Sequence, residues 1–138
     1  MPARDIELVN LRAKILQEKA PAQMSRDERF QTQILRPIIE LQKDLLRAVF
    51  QDYITRHKNV FYTLSPEKKL MYIENAIQRD IKFRNSLKGI IIGQFTLTEY
   101  QAYCQNTSDL NKRMMLLIIE EIQNQLFLFE SLPTETQF

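Results

Sequence analysis

The run KGIIIG, residues 88–93, holds the only two glycines of the 138-residue chain. A β-rich domain of this length needs many tight turns, and such turns draw on glycine for backbone conformations that other residues adopt at a cost. Two glycines cannot supply them, so the chain reads as helices. The next residues sharpen that reading. Phe95-Thr96-Leu97-Thr98-Glu99-Tyr100 has the form of a capping box. The Thr96 hydroxyl accepts an amide three residues on, Glu99 reaches back, and Phe95 and Tyr100 are placed as a hydrophobic staple. A helix therefore starts at Leu97 and the one before it stops ahead of Phe95. Gly93 is the expected stop, in the left-handed conformation that suits a helix C-terminus. Gly89 falls inside the last turn, where glycine costs about 1 kcal/mol against alanine, and is expected to admit a neighbouring backbone.

Outward from this point, apolar residues recur at helical spacing. The third helix reaches back to Ser65-Pro66, with serine as cap and proline at the first helical position. A second helix opens at the capping box Ser25-Arg26-Asp27-Glu28 and carries Ile34, Ile38, Leu41, Leu45 and Val49. Pro37 removes a hydrogen bond inside it, so a kink or restart is expected near Arg36-Pro37. Residues 59–64 are a connection short enough for the second and third helices to lie side by side. A first helix covers about residues 4–19, with Leu8, Leu11 and Ile15 in one stripe. A short fourth covers about 97–104, and a fifth about 109–131. The expected fold is all-α: one domain over residues 1–138, a compact bundle of about five helices containing a long antiparallel helical hairpin. Residues 1–24 form the N-terminal helix and linker, and 132–138 a loose tail.

Composition narrows the function classes. Apolar residues make up 44% and charged residues 26% of the chain, as in ordinary globular domains. The longest apolar run, residues 114–119, is far too short to span a bilayer. The start MPARDIELVN has acidic residues where a signal peptide needs an apolar stretch, and a single cysteine excludes an internal disulfide. A cytoplasmic location is the expectation. Residues 30–88 carry eleven Lys and Arg against six Asp and Glu, while residues 89–138 carry two against six. That asymmetry permits a basic partner-binding face without marking a nucleic-acid binder by itself.

No motif in the sequence calls for a metal, a cofactor or a catalytic residue. His57 is the only histidine and sits among cations, as a helix-end residue does. Cys104 lacks a CxxC partner and reads as a core thiol. No phosphate-binding glycine loop exists, and Glu120-Glu121, adjacent on a helix, diverge by about 100°. The polar residues that stand out lie on apolar faces. Asp80 and Arg84 fall amid Ile77, Ile81, Leu87 and Ile91, at the spacing of an ion pair. Asp52 and Arg56 continue the stripe of Leu45 and Val49. Charges are rarely buried unless paired, so Asp52, Arg56, Asp80, Arg84, Asn85 and Lys88 are candidate ligand or partner residues, or structural ion pairs.

The fifth helix is apolar on nearly every side. Ile118, Ile122 and Phe129 make one face, while Leu116 and Phe127 point the opposite way. Such a helix is buried between layers or shared with a partner, and Leu116 and Phe127 are the expected contact of a homodimer. The alternative is an RNA- or DNA-binding module using the basic face of Lys68, Arg79 and Lys82, with Phe61 and Tyr62 able to stack on bases.

The span 28–126 resembles a group of short bacterial proteins. The resemblance rests on Arg29-Phe30, Leu35-Arg36-Pro37, His57-Lys58-Asn59 and Tyr72-Ile73-Glu74-Asn75-Ala76. It rests also on the run from Asp80 to Gly89, DIKFRNSLKG, and on Leu110-Asn111-Lys112-Arg113-Met114-Met115. Some members carry an automatic glyoxalase label. Glyoxalases are built either from repeated βαβββ units with His and Glu metal ligands or around a histidine-rich metal motif. A helical chain with one histidine meets neither description, so the resemblance implies no activity. The leading expectation is a small helical interaction or scaffold module that self-associates.

Overall fold

Helices begin where a side-chain oxygen stands beside the free amides of a first turn. In the computed structural model, which describes residues 2–15 and 23–129, Ser25 accepts from the Glu28 amide and Ser65 from the Lys68 amide ahead of Pro66. Thr96 and Glu99 complete the full reciprocal box. At Ser25 only the first half of the box forms. The elements are α1 (Ala3–Ala13), α2 (Arg26–Phe30), α3 (Arg36–Arg56), α4 (Pro66–Arg79), α5 (Ile81–Ile92), α6 (Leu97–Gln105) and α7 (Thr107–Asn124). A π-helical turn covers Gln31–Leu35, and 3-10 turns cover Val60–Thr63 and Leu126–Leu128. No strand occurs among the described residues, and the chain is an all-α bundle. The five expected helical runs are present, the second divided by the π turn and the third by a break at Asp80. Two of these helices end sooner than expected, the first at Ala13 in place of about residue 19 and the fifth at Asn124 ahead of a 3-10 turn; what was expected of residues 16–19 and 130–138 lies outside the described residues.

The π turn has two causes in the sequence. Phe30 and Leu35 both enter the core, yet five residues of α-helix would set them about 140° apart. One i→i+5 turn brings them into line, and the Arg36 amide accordingly bonds the Gln31 carbonyl. Pro37 adds the second cause: in a regular helix its ring would press on the carbonyl four residues back. The expected kink is thus resolved as a widened turn, with no break.

Past this turn, α3 buries Leu46, Phe50 and Ile54. The expected stripe was Leu45 and Val49, which lie about 100° round the helix; Leu45 is exposed and Val49 half-buried. The bulk of Phe50 decides between two apolar stripes. Its ring meets those of Tyr53, Phe61, Tyr72, Phe83 and Phe129 at 5.6 to 6.3 Å, so one side chain ties α3 to α4, α5, the Val60–Thr63 turn and Phe129. The chain reverses after α3 through Lys58 and Asn59, both left-handed, with the Asn59 amide returning to the Ile54 carbonyl. α7 packs against α3, α4, α5 and the π turn, which is why it is apolar nearly all round.

The glycines differ from expectation. Gly93 is right-handed (φ −59°, ψ −17°), and neither glycine has a positive φ. α5 ends under an external cap: Arg4 donates to the Gly93 carbonyl at 2.7 Å and to the Phe95 carbonyl at 2.8 Å. Gly89 admits no neighbour, since a Cβ built there meets nothing within 4 Å. Gly89→Ala is therefore expected to raise stability by about 1 kcal/mol, the helix propensity difference alone. Chemical denaturation checks this, and a destabilised variant would mean that something packs on that face.

α1 docks by polar groups. Asp5 is buried and accepts from the Leu97 amide at 3.1 Å, while Arg12 grips Glu99 through two bonds of 2.8 Å. Of the expected apolar stripe, Leu8 and Ile15 are half-buried and Leu11 is exposed. Ile6 and Val9 also face outward.

Candidate functional site

Asp80 interrupts the long third helix. Its backbone is extended (φ −85°, ψ 99°), and its carboxylate accepts from the Phe83 amide at 3.2 Å as the cap of α5. The other oxygen accepts from the Tyr53 hydroxyl at 3.1 Å. Burial, and then this bond to Asp80, push the Tyr53 hydroxyl up to about 12. The expected Asp80–Arg84 pair is therefore absent, because an i,i+4 pair needs both residues on one continuous helix and Asp80 is committed to starting a new one. The break also leaves Ile81, expected in the core, exposed. Asp52 and Arg56 do pair, at 2.7 Å, but on the outside of α3, with 62% and 75% of their side chains exposed. An exposed pair of this kind contributes little to stability. Arg84 and Lys88 are half-buried and Asn85 exposed, all on one side of α5, and no hydrogen bond or ion pair joins them to Asp52 or Arg56.

Lys68, Arg79 and Lys82 are exposed. Lys68 and Arg79 stand eleven residues apart on α4, about 16 Å along its axis, with Lys82 beyond the Asp80 break. Phe61 is fully buried between Phe50 and Phe129, with the Lys69 ammonium 5.5 Å from its ring, so it has no face to offer a base. Tyr62 is half-buried against it. His57 ends α3, as expected, and its ring stacks on Tyr53 at 4.0 Å. Cys104 is exposed, contrary to the core thiol expected, because Tyr103 takes the inward position on α6. The staple is also re-paired: Phe95 packs on Tyr103 at 5.6 Å, and Tyr100 lies exposed.

The arrangement with most room for chemistry is one that the sequence does not single out. The π turn and the start of α3 face the second half of α7 across a cavity of about 400 Å³. Ile15, Pro37, Ile39 and Leu117 supply apolar lining, and Arg36, Glu40, Glu120 and Glu121 charged groups. A second cavity of about 440 Å³ adjoins it through Thr32 and Arg36 and extends to Gln31 and Arg113. Burial raises the Glu121 carboxyl, Gln125 donates to it at 3.3 Å, and the charge of Glu40 pushes it further up. Glu40 is itself held by Lys43 at 2.8 Å. Arg113 binds Asp109 at 2.8 Å and Gln31 at 2.9 Å, tying α7 to the π turn. Asp109 stands beside Asp27: the neighbouring carboxyl raises that of Asp27, while Arg113 holds that of Asp109 low. The sequence signal for this site was the five-residue step from Phe30 to Leu35 followed by Pro37, out of place among steps of three and four.

Among the described residues, no group of His, Cys, Asp and Glu is placed to hold a metal ion, and no helix is long and apolar enough to cross a membrane. No protein-family model, curated protein or solved structure matches the chain.

Proposed function

We propose that the protein is a small cytoplasmic helical interaction module that self-associates through the outer edge of α7. The observation that carries this is Leu116. Of eight apolar side chains from Leu110 to Ile122, seven are buried, and Leu116 alone stands out at 59% exposed. Phe127, in the 3-10 turn beyond the end of α7, is 82% exposed. A single surface leucine is ordinary, but one on an otherwise consumed helix, with a second large apolar group exposed past that helix's end, gives a partner something to cover.

Charge favours a second copy as that partner. Lys112 lies one turn before Leu116 and Glu120 one turn after, both exposed. If two α7 helices cross antiparallel about a two-fold axis at Leu116, Lys112 of each copy meets Glu120 of the other. Self-complementary pairing of this kind is what a symmetric interface requires. The expected result in sedimentation equilibrium at high micromolar concentration is a dimer that Leu116→Asp converts to monomer. Lys112→Glu alone should weaken it about tenfold, and the swap Lys112→Glu with Glu120→Lys should restore it. A monomeric parent protein at that concentration sinks the proposal.

A further inference from the structure

The paired cavities beside the π turn have the character of a ligand site. Their volumes, about 400 and 440 Å³, lie in the range of small-molecule pockets, which combine apolar walls with a few convergent polar groups. Pro37, Ile39 and Leu117 are the apolar wall. The polar groups fall into two sets of opposite sign. Arg36 lines both cavities, and its guanidinium makes no hydrogen bond or ion pair among the described residues. Thr32, shared by both cavities, and Asn124 are likewise uncommitted. Arg113, at the far side of the second cavity, uses Nε and Nη1 on Asp109 and Gln31 and keeps Nη2 uncommitted. Half-buried Glu121 lies near Glu40; Glu40, one turn from Arg36 on α3, already holds Lys43 at 2.8 Å, and Glu120 and Glu28 complete the acidic lining.

This division selects among ligand classes. A simple anion attracted to Arg36 would meet Glu40 and Glu121 within the same cavity. A simple cation would leave the Arg36 guanidinium unanswered. A molecule carrying both charges satisfies each set, and a short methylene linker between them would lie on Pro37 and Leu117. We infer that the cavity beside the π turn binds a small zwitterion, its carboxylate on Arg36 and Thr32 and its ammonium on Glu121 beside the Glu40–Lys43 pair, with Asn124 available to either end. Glu121 fits the role because its charge is held in a partly desolvated place, and a bound ammonium relieves that cost. Arg36 fits because a planar guanidinium takes a carboxylate through two parallel bonds. The site uses the flank of α7 next to the edge proposed for self-association, and the inference stands whether the chain is one copy or two.

The test is an amide-resolved NMR titration of the full chain with glycine, 4-aminobutanoate and 6-aminohexanoate, which carry the same two charges at increasing separation. Hexylamine and hexanoate serve as the single-charge halves. Saturable shifts are expected at Thr32, Arg36, Glu121 and Asn124 with at least one zwitterion, about tenfold tighter than with either half. Arg36→Gln and Glu121→Gln should each weaken that binding about tenfold or more, the loss of one charge-assisted bond. Arg79→Gln, on α4, should leave it unchanged. The Leu116→Asp variant should bind equally well, which separates this site from self-association. The inference is overturned if no zwitterion shifts those four amides. It is overturned equally if hexylamine or hexanoate binds as tightly as the zwitterion, or if folded Arg36→Gln and Glu121→Gln proteins bind as the parent does.

Discussion

Phe50→Ala is expected to remove about 3–5 kcal/mol of stability, the range for truncating a fully buried phenylalanine. Two features place this position at the upper end. Phe50 has no exposed surface, and its five ring partners come from α3, α4, α5, the Val60–Thr63 turn and Phe129. A cavity walled by five separate segments collapses poorly, because closing it requires several elements to move at once, and the cost of such a void grows with the volume left empty. Edge-to-face geometry with Phe61, Tyr72 and Phe129 adds aromatic pair energy that is lost with the ring. Domains of this size hold about 5–15 kcal/mol in total, so the variant should be close to unfolding at physiological temperature. Urea denaturation provides the measurement, with Phe50→Leu as a control expected to lose much less. A loss below about 1 kcal/mol for the alanine variant would mean that the surrounding rings refill the space.

Arg12→Ala has the second largest expected effect, and its form is different. The Arg12 and Glu99 side chains are 6% and 17% exposed and joined at 2.8 Å. Removing one partner of a buried pair costs about 3–5 kcal/mol when the remaining charge stays buried. Here it need not stay buried. α1 holds to the rest of the molecule through Arg4, Asp5 and Arg12 and through half-buried Leu8 and Ile15, so Glu99 regains water if α1 lifts away. The cost is then capped by the docking free energy of α1. The contact is also imperfect, since Arg12 Nε is buried without a hydrogen-bond partner among the described residues. The expected outcome is loss of hydrogen-exchange protection throughout α1 and at the Leu97 amide, with protection in α3 and α7 retained. Uniform loss across all helices would show that α1 cannot separate from the core. Glu99→Gln should act in the same direction, and more mildly, because it keeps the bond to the Thr96 amide.

What could be read from the residues follows the range of the forces involved. Helix starts at Ser25, Ser65 and Thr96 were legible because a cap and the amide it serves lie three residues apart. The all-α class was legible because glycine scarcity is a property of the whole chain. The inward face of α3 was not, because Leu45 with Val49 and Leu46 with Phe50 form two apolar stripes of similar length, and only the rings gathered from α4 and α5 choose between them. Asp80 misled for a related reason: an aspartate amid apolar residues satisfies both the pattern of a paired charge and that of a cap. Gly93 was credited with an ending that Arg4 supplies from 89 residues away, and no local pattern carries that information. The cavity beside the π turn needed residues 32–40, residues 117–124 and Ile15 to be brought together before any of its side chains stood out.

The π turn also has a genealogical meaning. A helix that spends five residues on one turn is an ordinary helix with one codon added. Deleting a single residue among 32–34, together with exchanging Pro37 for a residue that keeps its N–H, would make Phe30 and Leu35 neighbours at the four-residue step of a regular α-helix. Both would still face the core, and α3 onward would keep its register against α7. What would vanish is the widened wall beside Arg36. Scaffold and cavity are thus separable here, and the pocket could be gained or lost by two local changes, a deletion and the exchange of Pro37, without renegotiating the interior that holds the molecule together.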